Sequence, residues 1–372
     1  MNTSIFIVYH GLIATLPLYV LGFLGRSDSD SSLLVTIFLV SSIIVRPFCG
    51  KLLDYYGKKN MLIVSLLFFL LCTILYIVIK PYTLLLILRF FQGIWFSVVT
   101  TAANAIAADI VPESKKGTGL GYFSISTNLG IVIGPFIGLT VVQLWNFDLL
   151  FIILAITLTM GVLLALPIKL ANTELEGERN FKISLKDLIE MNALPVALLG
   201  MLVAFSYSSV LSFISIYSEQ KGLLTVTSYF YIVFAAVMVA IRPITGRLYD
   251  TVGPKYVIIP SFFILSGGFV LLGFIEGPVL FLISAILIGA GYSTLLTCFQ
   301  TLSVQSTSLA RSAYATSTFF TLFDFGVAVG SIVFGIIAVN FNYLTVYLSA
   351  ASIVLVALLF FNFRFRNSTL VS

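Results

Sequence analysis

Long apolar segments alternate with short polar ones along almost the whole chain. Each apolar segment runs for about 20 residues, which lets a helix cross roughly 30 Å of hydrocarbon. The pattern predicts about twelve membrane-spanning helices, six in each half, and therefore an all-α polytopic membrane protein. The predicted positions are residues 4–24, 33–53, 61–79, 83–107, 119–143, 149–168, 195–217, 227–249, 256–275, 278–302, 311–338 and 343–363.

One long polar segment interrupts this alternation near the middle of the chain. It predicts three parts, namely a first six-helix bundle at 1–168, a cytoplasmic linker at 169–193 and a second six-helix bundle at 194–372. Within the linker, Ser184 as N-cap predicts a short helix over 184–190, lying along the membrane face. All other loops are short, which leaves no room for a soluble catalytic domain.

The composition agrees with a membrane protein, because only 9% of the 372 residues are charged, 59% are hydrophobic and the mean hydropathy is +1.11. The net charge is +5. With a cytoplasmic N-terminus, only Arg26, Lys80 and Lys221 lie outside and Arg89 lies within the membrane, which leaves 16 of the 20 basic residues inside. The charge therefore reflects topology rather than a nucleic-acid partner, and both termini are predicted to be cytoplasmic.

Two further features of the sequence limit the chemistry to be expected of this chain. Cys49, Cys72 and Cys298 lie in or beside apolar segments at unrelated spacings, so we expect no disulfide framework, no metal site and no cofactor. The first apolar segment lacks a basic start and a small-residue cleavage site, which predicts a retained helix rather than a signal peptide.

A 14-residue segment occurs twice. Arg46 to Lys59 recurs 196 residues later as Arg242 to Lys255, with seven of the fourteen positions identical. The same offset maps Gly93 on Gly289, Lys115 on Arg311, Asn128 on Asp324, Gly130 on Gly326 and Gly134 on Gly330. One register held over about ninety residues indicates a duplicated half, and duplicated halves in so apolar a chain are typical of transporters.

The repeated segment contains a polar turn whose residues are Gly50, Asp54, Gly57 and Lys58 in the first copy and Gly246, Asp250 and Gly253 in the second. Gly57 permits a tight reversal and Asp54 can cap a helix end. The pattern resembles the G-x-L-x-D-x-x-G-[RK]-[RK] signature of the major facilitator superfamily, and the resemblance covers nearly the whole chain. It implies the major facilitator fold of two six-helix bundles, with turns that latch the outward-open state and do not bind substrate. A purely topogenic turn is the alternative, but it does not explain the duplication.

The predicted fifth helix carries a second pattern, formed by Gly121, Gly130, Gly134, Pro135 and Gly138. It resembles the superfamily's G-x8-G-x3-G-P-x2-G-G pattern, with Leu139 in place of the last glycine. Small residues let another helix approach closely and proline kinks the helix, which we expect to seal the interface between the bundles. In the family this pattern is associated with proton-driven exporters. Ordinary small-residue packing explains the glycines but not the proline, and the eleventh helix has Ser331 and Phe334 where the fifth has Pro135 and Gly138.

Arg89, with Gln92 and Gly93, is similar to the family's R-x-x-Q-G element, whose arginine is tied to proton transfer. An arginine inside a membrane helix is costly, which favours an aqueous cavity or a buried partner. The alternative is that Arg89 extends to the outer headgroups, because it lies only about two turns from the helix start.

Asp324 is the only acidic residue deep within a predicted helix, and its repeat mate Asn128 is a neutral amide of similar shape. Apolar surroundings favour a protonated carboxyl, so Asp324 is the predicted proton carrier. The alternatives are a structural protonated carboxyl, an ion pair, or a counter-charge for a cationic substrate. The first helix lacks the embedded carboxylate of many multidrug antiporters, which places the burden of proton coupling on Asp324.

Other candidates for a substrate cavity lie on helices that line the cavity in this family. They are Tyr9, His10, Gln92, Trp95, Asn128, Tyr207, Phe213, Tyr292 and Phe299. Aromatic residues are so common here, with 34 Phe and 17 Tyr, that any one of them is expected in the core or at the lipid face rather than at a ligand. Asn104 and Asp109 are expected to cap or gate the end of the fourth helix.

The resemblance is to bacterial proton-coupled drug and metabolite exporters. It implies export of a small, partly apolar molecule by alternating access, in exchange for protons, by a monomer in the plasma membrane lipid bilayer. Two alternatives stay open, which are proton-coupled uptake on the same fold and a membrane sensor that does not transport. An enzyme is disfavoured because no nucleophile–base or metal-ligand pattern is present.

Overall fold

The computed structural model describes residues 1–26, 28–168 and 188–365. Twelve helices in these ranges are long and apolar enough to span a membrane, as predicted. They are α1 (Asn2–Leu18, continued by a π-helical turn, Tyr19–Phe23), α2 (Asp28–Tyr56), α3 (Lys58–Val78), α4 (Tyr82–Ile110), α5 (Lys116–Leu144), α6 (Phe147–Ala165), α7 (Leu194–Gln220), α8 (Leu224–Val252), α9 (Pro254–Gly273), α10 (Pro278–Gln305), α11 (Ser312–Asn340) and α12 (Tyr343–Phe365). The predicted helix at 184–190 and the linker up to residue 187 lie outside the described residues.

The backbone repeats in the register that the sequence predicts. Helices α2 and α8 begin and end 196 residues apart at both ends, and so do α5 and α11. The turns between α2 and α3 and between α8 and α9 also match, because Gly57 and Gly253 have φ values of 86° and 107° that favour glycine. The two halves are therefore built on one helical plan.

Contacts divide the described residues into two compact units. The first unit comprises Met1–Ile110 and Ser126–Ile189, and the second comprises Val111–Ile125 and Glu190–Ser372. The start of α5 thus belongs to the second unit, although most of this helix belongs to the first. The bundle boundaries at residues 168 and 194 stay a prediction.

Many large apolar side chains lie on the surface of these helices. Phe136, Val339 and Phe363 are 70%, 87% and 87% exposed. A soluble protein rarely leaves so much apolar surface in contact with water, whereas lipid chains cover such side chains without cost. The exposed faces therefore fit a multi-pass membrane protein.

Helices approach most closely where glycine removes the side chain. A β-carbon added at Gly93 would lie 2.1 Å from Ser41 Oγ and 2.3 Å from the Phe38 carbonyl oxygen, so α4 touches the backbone of α2. The same contact recurs in the second unit, where a β-carbon at Gly289 would lie 2.9 Å from the Phe234 carbonyl oxygen. The 196-residue offset relates Gly93 to Gly289 and Phe38 to Phe234, so the repeat preserves this helix crossing.

We expect Gly93→Ala to destabilise the protein by about 1–3 kcal/mol, because overpacking forces α2 and α4 apart. The midpoint of thermal unfolding of the purified protein in detergent measures the effect. Gly267→Ala in α9 is the matched control, since a β-carbon there would meet nothing within 4 Å. Equal midpoints for the two variants would contradict the role of Gly93 in helix packing.

Candidate functional site

The first Asp–Gly turn is tied to the end of α4. Lys58 Nζ lies 2.5 Å from Asp109 Oδ2, and each side chain is only 16% exposed. A partly buried ion pair of this kind fixes the turn more firmly than a solvated pair does. Asp109 thus holds the start of α3, while the predicted gating role of Asp54 stays a prediction.

The second turn caps α5 within the second unit. The backbone N–H groups of Gly117 and Thr118 donate to Asp250 Oδ1 and Oδ2, both at 2.7 Å. A carboxylate at a helix N-terminus accepts otherwise unpaired N–H groups and complements the helix dipole. Gly246 makes this possible, since a β-carbon there would lie 2.8 Å from the Gly117 carbonyl oxygen.

The glycines of α5 make two different contacts. Gly121 faces α8, where its β-carbon position lies 3.3 Å from the Arg242 carbonyl oxygen. Gly130, Gly134 and Gly138 instead face α1, with distances of 2.4 Å to Phe6 Cβ, 2.6 Å to the Ile7 carbonyl oxygen and 2.9 Å to Thr15 Cγ2.

These contacts show which helix the glycines beside Pro135 pack against. That Pro135 and its glycines seal the interface between the bundles stays a prediction. The structure places Gly130, Gly134 and Gly138 against α1 of their own unit, because their missing side chains let the two backbones touch.

The second unit keeps only part of this packing. Gly326 and Gly330 of α11 approach the carbonyl oxygens of Met201 and Phe205 on α7, at 2.4 and 2.6 Å from a β-carbon. Where α5 has Pro135, α11 has Ser331, which accepts a hydrogen bond of 2.9 Å from Ser212. Phe334, the counterpart of Gly138, is fully buried. The proline and the third close glycine contact therefore belong to the first unit alone.

Arg89 lies inside the first unit and does not extend to the headgroups, because its side chain is 0% exposed. Nη1 donates to Gln92 Oε1 at 2.9 Å, and Nε lies 3.4 Å from the Leu34 carbonyl oxygen. The guanidinium also lies 4.5 Å from the ring centroid of Phe38, a cation–π contact. Nη2 has no hydrogen-bond partner in the described residues. In the described residues, the groups named here as contacts of the Arg89 side chain are all neutral.

Each unit contains a group of three aromatic rings that pack against one another. The two groups lie at nearly equivalent positions of the repeat. The first aromatic triad consists of Tyr9, Phe38 and Phe96, with centroids 4.4 to 5.3 Å apart. The second aromatic triad consists of Tyr207, Phe234 and Tyr292, with centroids 3.9 to 6.3 Å apart. Tyr9 and Tyr207 are half-buried, so part of each ring can meet a ligand.

Tyr292 connects the second triad to two charged residues. It interacts electrostatically with both Arg242 and Asp324. Arg242 is 3% exposed and its Nε donates to Ser293 Oγ at 2.9 Å, whereas Asp324 is half-buried in the middle of α11. The repeat mates of Tyr292 and Asp324 are Phe96 and Asn128, so the first unit lacks both ionisable groups at these positions.

Several predicted cavity residues lie elsewhere. Phe299 is 0% exposed in the core of the second unit, where it contacts Phe262 and Phe361. Trp95 stacks on Phe68, a ring that is 42% exposed, at 4.4 Å and outside the first triad. Phe299 and Trp95 are therefore not included in the substrate surfaces proposed below.

Of the remaining candidates, His10 contacts a triad residue, whereas Asn128 and Phe213 have other surroundings. His10 packs against Tyr9 at 4.6 Å, and its Nδ1 lies 3.0 Å from the Phe6 carbonyl oxygen. Asn128 is 2% exposed, and its Nδ2 has no partner among the described residues. Phe213 lies next to Tyr343, with ring centroids 6.3 Å apart.

Sequence reasoning missed the triad residues Phe38, Phe96 and Phe234. It also missed Tyr76 and Thr73, whose hydroxyls hydrogen-bond to the Gln92 amide. The signal for Phe38 was available, because Phe234 lies at the same repeat offset. Tyr76 and Thr73 gave no signal of their own, since one polar residue per turn in an apolar helix is common.

The comparison with known protein families agrees with this architecture. The sequence model described as the Major Facilitator Superfamily matches residues 1–325 of this chain. The chain belongs to the Major Facilitator Superfamily. It is accordingly a multi-pass membrane transporter that acts on small molecules, and the predicted major facilitator fold is confirmed.

Two relatives illustrate the range of similarity. An uncharacterised transporter of this superfamily from Methanocaldococcus jannaschii is 24% identical over 339 residues, which cover 88% of this chain and 87% of the relative. The quinolone resistance protein NorA of Staphylococcus aureus is 33% identical over 148 residues, which cover 37% of this chain and 38% of NorA.

Two solved structures share the fold. The human organic anion transporter MFSD10 superposes with a TM-score of 0.84 at 13% identity, covering 96% of both chains. The Escherichia coli fucose transporter FucP in its outward conformation superposes with a TM-score of 0.75 at 17% identity, covering 98% of this chain and 97% of FucP. At these identities the likeness concerns the fold alone.

We expect Asp250→Asn to destabilise the second unit by about 1–2 kcal/mol, because one charge-assisted hydrogen bond to the start of α5 is lost. The midpoint of thermal unfolding in detergent measures this loss. Asp148→Asn is the control, since its partner Lys80 and Asp148 itself are 38% and 60% exposed and such pairs contribute little. A larger effect for Asp148→Asn would contradict the capping role of Asp250.

Proposed function

We propose that this transporter exports a small, partly apolar molecule in exchange for protons. The observation that carries the proposal is the face of α5 on which Gly130, Gly134 and Gly138 touch α1 beside Pro135, since this pattern resembles that of proton-driven exporters. The second unit lacks Pro135 and the third glycine contact, so the repeat plan alone does not require them. The similarity of part of the chain to NorA, a quinolone resistance protein, supports the same direction of transport.

Asp324 is the proposed proton carrier. It is half-buried at mid-helix and interacts electrostatically with Tyr292. Protonation makes the carboxyl neutral and deprotonation leaves a charge that apolar surroundings disfavour, so the two forms favour different conformations. Asn128 cannot do this in the first unit, because an amide does not titrate.

Arg89 is the residue proposed to favour release of the proton. Its positive charge is fully buried and its contacts within the first unit are neutral, so its field is not cancelled locally. The family element that Arg89 resembles is tied to proton transfer, and a buried cation in general favours the ionised form of a carboxyl.

The half-buried rings of Tyr9 and Tyr207, each packed against the buried rings of its triad, are the proposed substrate surfaces. Flat, polarisable rings bind partly apolar molecules through contact area rather than through specific hydrogen bonds. This chemistry fits a drug-like compound or a secreted metabolite, and it does not select one of them. If the substrate is an antibiotic, drug resistance follows from export.

The Asp–Gly turns are the proposed latches of the transport cycle. Asp250 at the start of α5 supplies one latch, which opens when its two hydrogen bonds break. In this proposal the protein works as a monomer in the plasma membrane of a bacterium, with both termini in the cytoplasm.

We expect Asp324→Asn to abolish proton-driven transport and to retain exchange of substrate for substrate, because only the proton-bound half of the cycle needs a titratable group. Inverted membrane vesicles with an acidic interior and a pH-quenched dye measure proton release after addition of a panel of compounds. The panel contains ethidium, a catecholate chelator and a sugar derivative. Wild type should show dequenching with one class, and the variant should show none.

Glu219→Gln at the exposed end of α7 is the control and should behave like wild type. Equal dequenching by wild type and Asp324→Asn would keep the exchanger and remove Asp324 from the proton pathway. No response of the wild type to any compound would overturn the export proposal itself.

A further inference from the structure

Four buried polar side chains of the first unit occupy positions that are apolar in the second unit. Thr73, Tyr76, Arg89 and Gln92 are each 0% exposed. At the same 196-residue offset, the second unit has Phe269, Leu272, Ala285 and Ile288, which are also each 0% exposed. The same helical plan therefore packs either a cationic network or a wholly apolar cluster between its third and fourth helices.

The network converges on the side-chain amide of Gln92. Tyr76 Oη and Arg89 Nη1 both donate to Gln92 Oε1, each at 2.9 Å. Gln92 Nε2 donates to Thr73 Oγ1 at 3.4 Å. Because two donors meet at Gln92 Oε1, the oxygen end of the amide faces Arg89. In the reversed orientation the N–H groups of Gln92 would face the donors of Tyr76 and Arg89.

The energy of this arrangement argues against a role in packing alone. A buried guanidinium costs several kcal/mol unless its charge is compensated, and apolar side chains of similar volume often serve a fold as well or better. The second unit demonstrates such an apolar replacement in the same protein. Retention of the polar network in one unit only is therefore best explained by a function of Arg89.

We propose that Tyr76 is a positioning residue for proton coupling, which holds Gln92 so that the Arg89 guanidinium keeps one fixed orientation. Thr73 supports the same amide from the other end. Tyr76 holds Arg89 through Gln92 and has no place in the proton path itself. This inference rests on the proposed proton-coupled function and assigns a further residue to it.

The groups around Arg89 come from α2, α3 and α4, and Tyr76 is the one that holds its hydrogen-bond partner Gln92. From α2, the neutral Leu34 carbonyl and the Phe38 ring face the guanidinium, and from α4 itself Gln92 does. From α3 the facing titratable group is Tyr76, with Cys72 one turn away on the same helix. The hydrogen bonds that the structure gives Arg89 involve no carboxylate, so its orientation depends on neutral partners.

The test is Tyr76→Phe, which removes the hydroxyl and keeps the ring stacked on Phe151 at 5.3 Å. Loss of the hydrogen bond lets Gln92 and Arg89 move, so Arg89 no longer keeps one orientation. We expect the rate of proton-driven transport of the responding panel compound to fall roughly two- to tenfold. The pH of half-maximal transport should shift by about 0.5 to 1 unit, which a merely structural role of the hydroxyl would not cause.

Tyr347→Phe is the matched control. Tyr347 is 0% exposed, and its hydroxyl has no hydrogen-bond partner in the described residues. Its removal should leave both the rate and the pH profile unchanged.

A second variant separates function from folding by giving the first unit the apolar residues of the second. The quadruple variant Thr73→Phe, Tyr76→Leu, Arg89→Ala and Gln92→Ile keeps the total side-chain volume nearly constant. It should unfold at a temperature equal to or above that of wild type and should lose proton-driven transport.

The outcomes distinguish this inference from the proposed function. Proton-driven transport in wild type with an unchanged pH profile in Tyr76→Phe would overturn the role of Tyr76 and leave the proposed function intact. Proton-driven transport by the quadruple variant would overturn the role of the whole network. Absence of proton-driven transport in wild type would overturn both.

Discussion

The structure depends on backbone contact between helices at glycine. In a membrane, apolar side chains gain little by leaving lipid for a neighbouring helix, so close packing carries much of the association. Gly93 and Gly289 bring the second and fourth helices of each half into contact, and Gly134 and Gly330 do the same for the first and fifth helices. Because these contacts recur at one offset, both halves share one frame. The chemistry can then differ between halves without a change of fold.

Such differences concentrate at a few buried or half-buried positions. The first unit has Arg89 where the second has Ala285, and the second has Asp324 where the first has Asn128. At these two positions, one unit thus carries a buried cation whose hydrogen bonds among the described residues are with neutral groups, and the other carries a carboxyl. An exchanger of protons needs a site that binds the proton and an influence that expels it, and the asymmetry of the repeat supplies a candidate for each.

Hydropathy and the internal repeat were enough to predict the fold. Twelve helices, their register and the reversals at Gly57 and Gly253 follow from length, periodicity and glycine chemistry. The surroundings of single side chains were harder to predict. Arg89 lies near a helix end, where sequence fits both extension to the headgroups and burial, and only tertiary contacts decide between them.

The same limit applies to the aromatic residues and the glycines. Phe299 and Tyr292 lie on one helix and look alike in sequence, yet Phe299 packs in the core and Tyr292 joins a triad. From the sequence alone, the face of α5 that carries Gly134 could pack against a helix of either unit, because a row of small residues does not determine which helix approaches it. Residues at matching positions of the repeat, such as Phe38 and Phe234, were predictable in principle. An offset that preserves the crossing of two helices also preserves the residues beside that crossing.

The direction of transport relative to protons tests the central claim most directly. Purified protein in proteoliposomes would be given a pH gradient of either sign, and movement of a panel compound that the wild type transports would be followed at once. Exchange predicts that the compound moves opposite to the protons and that its direction reverses when the gradient is reversed. Movement in the same direction as the protons under both gradients would contradict export by exchange and identify a symporter.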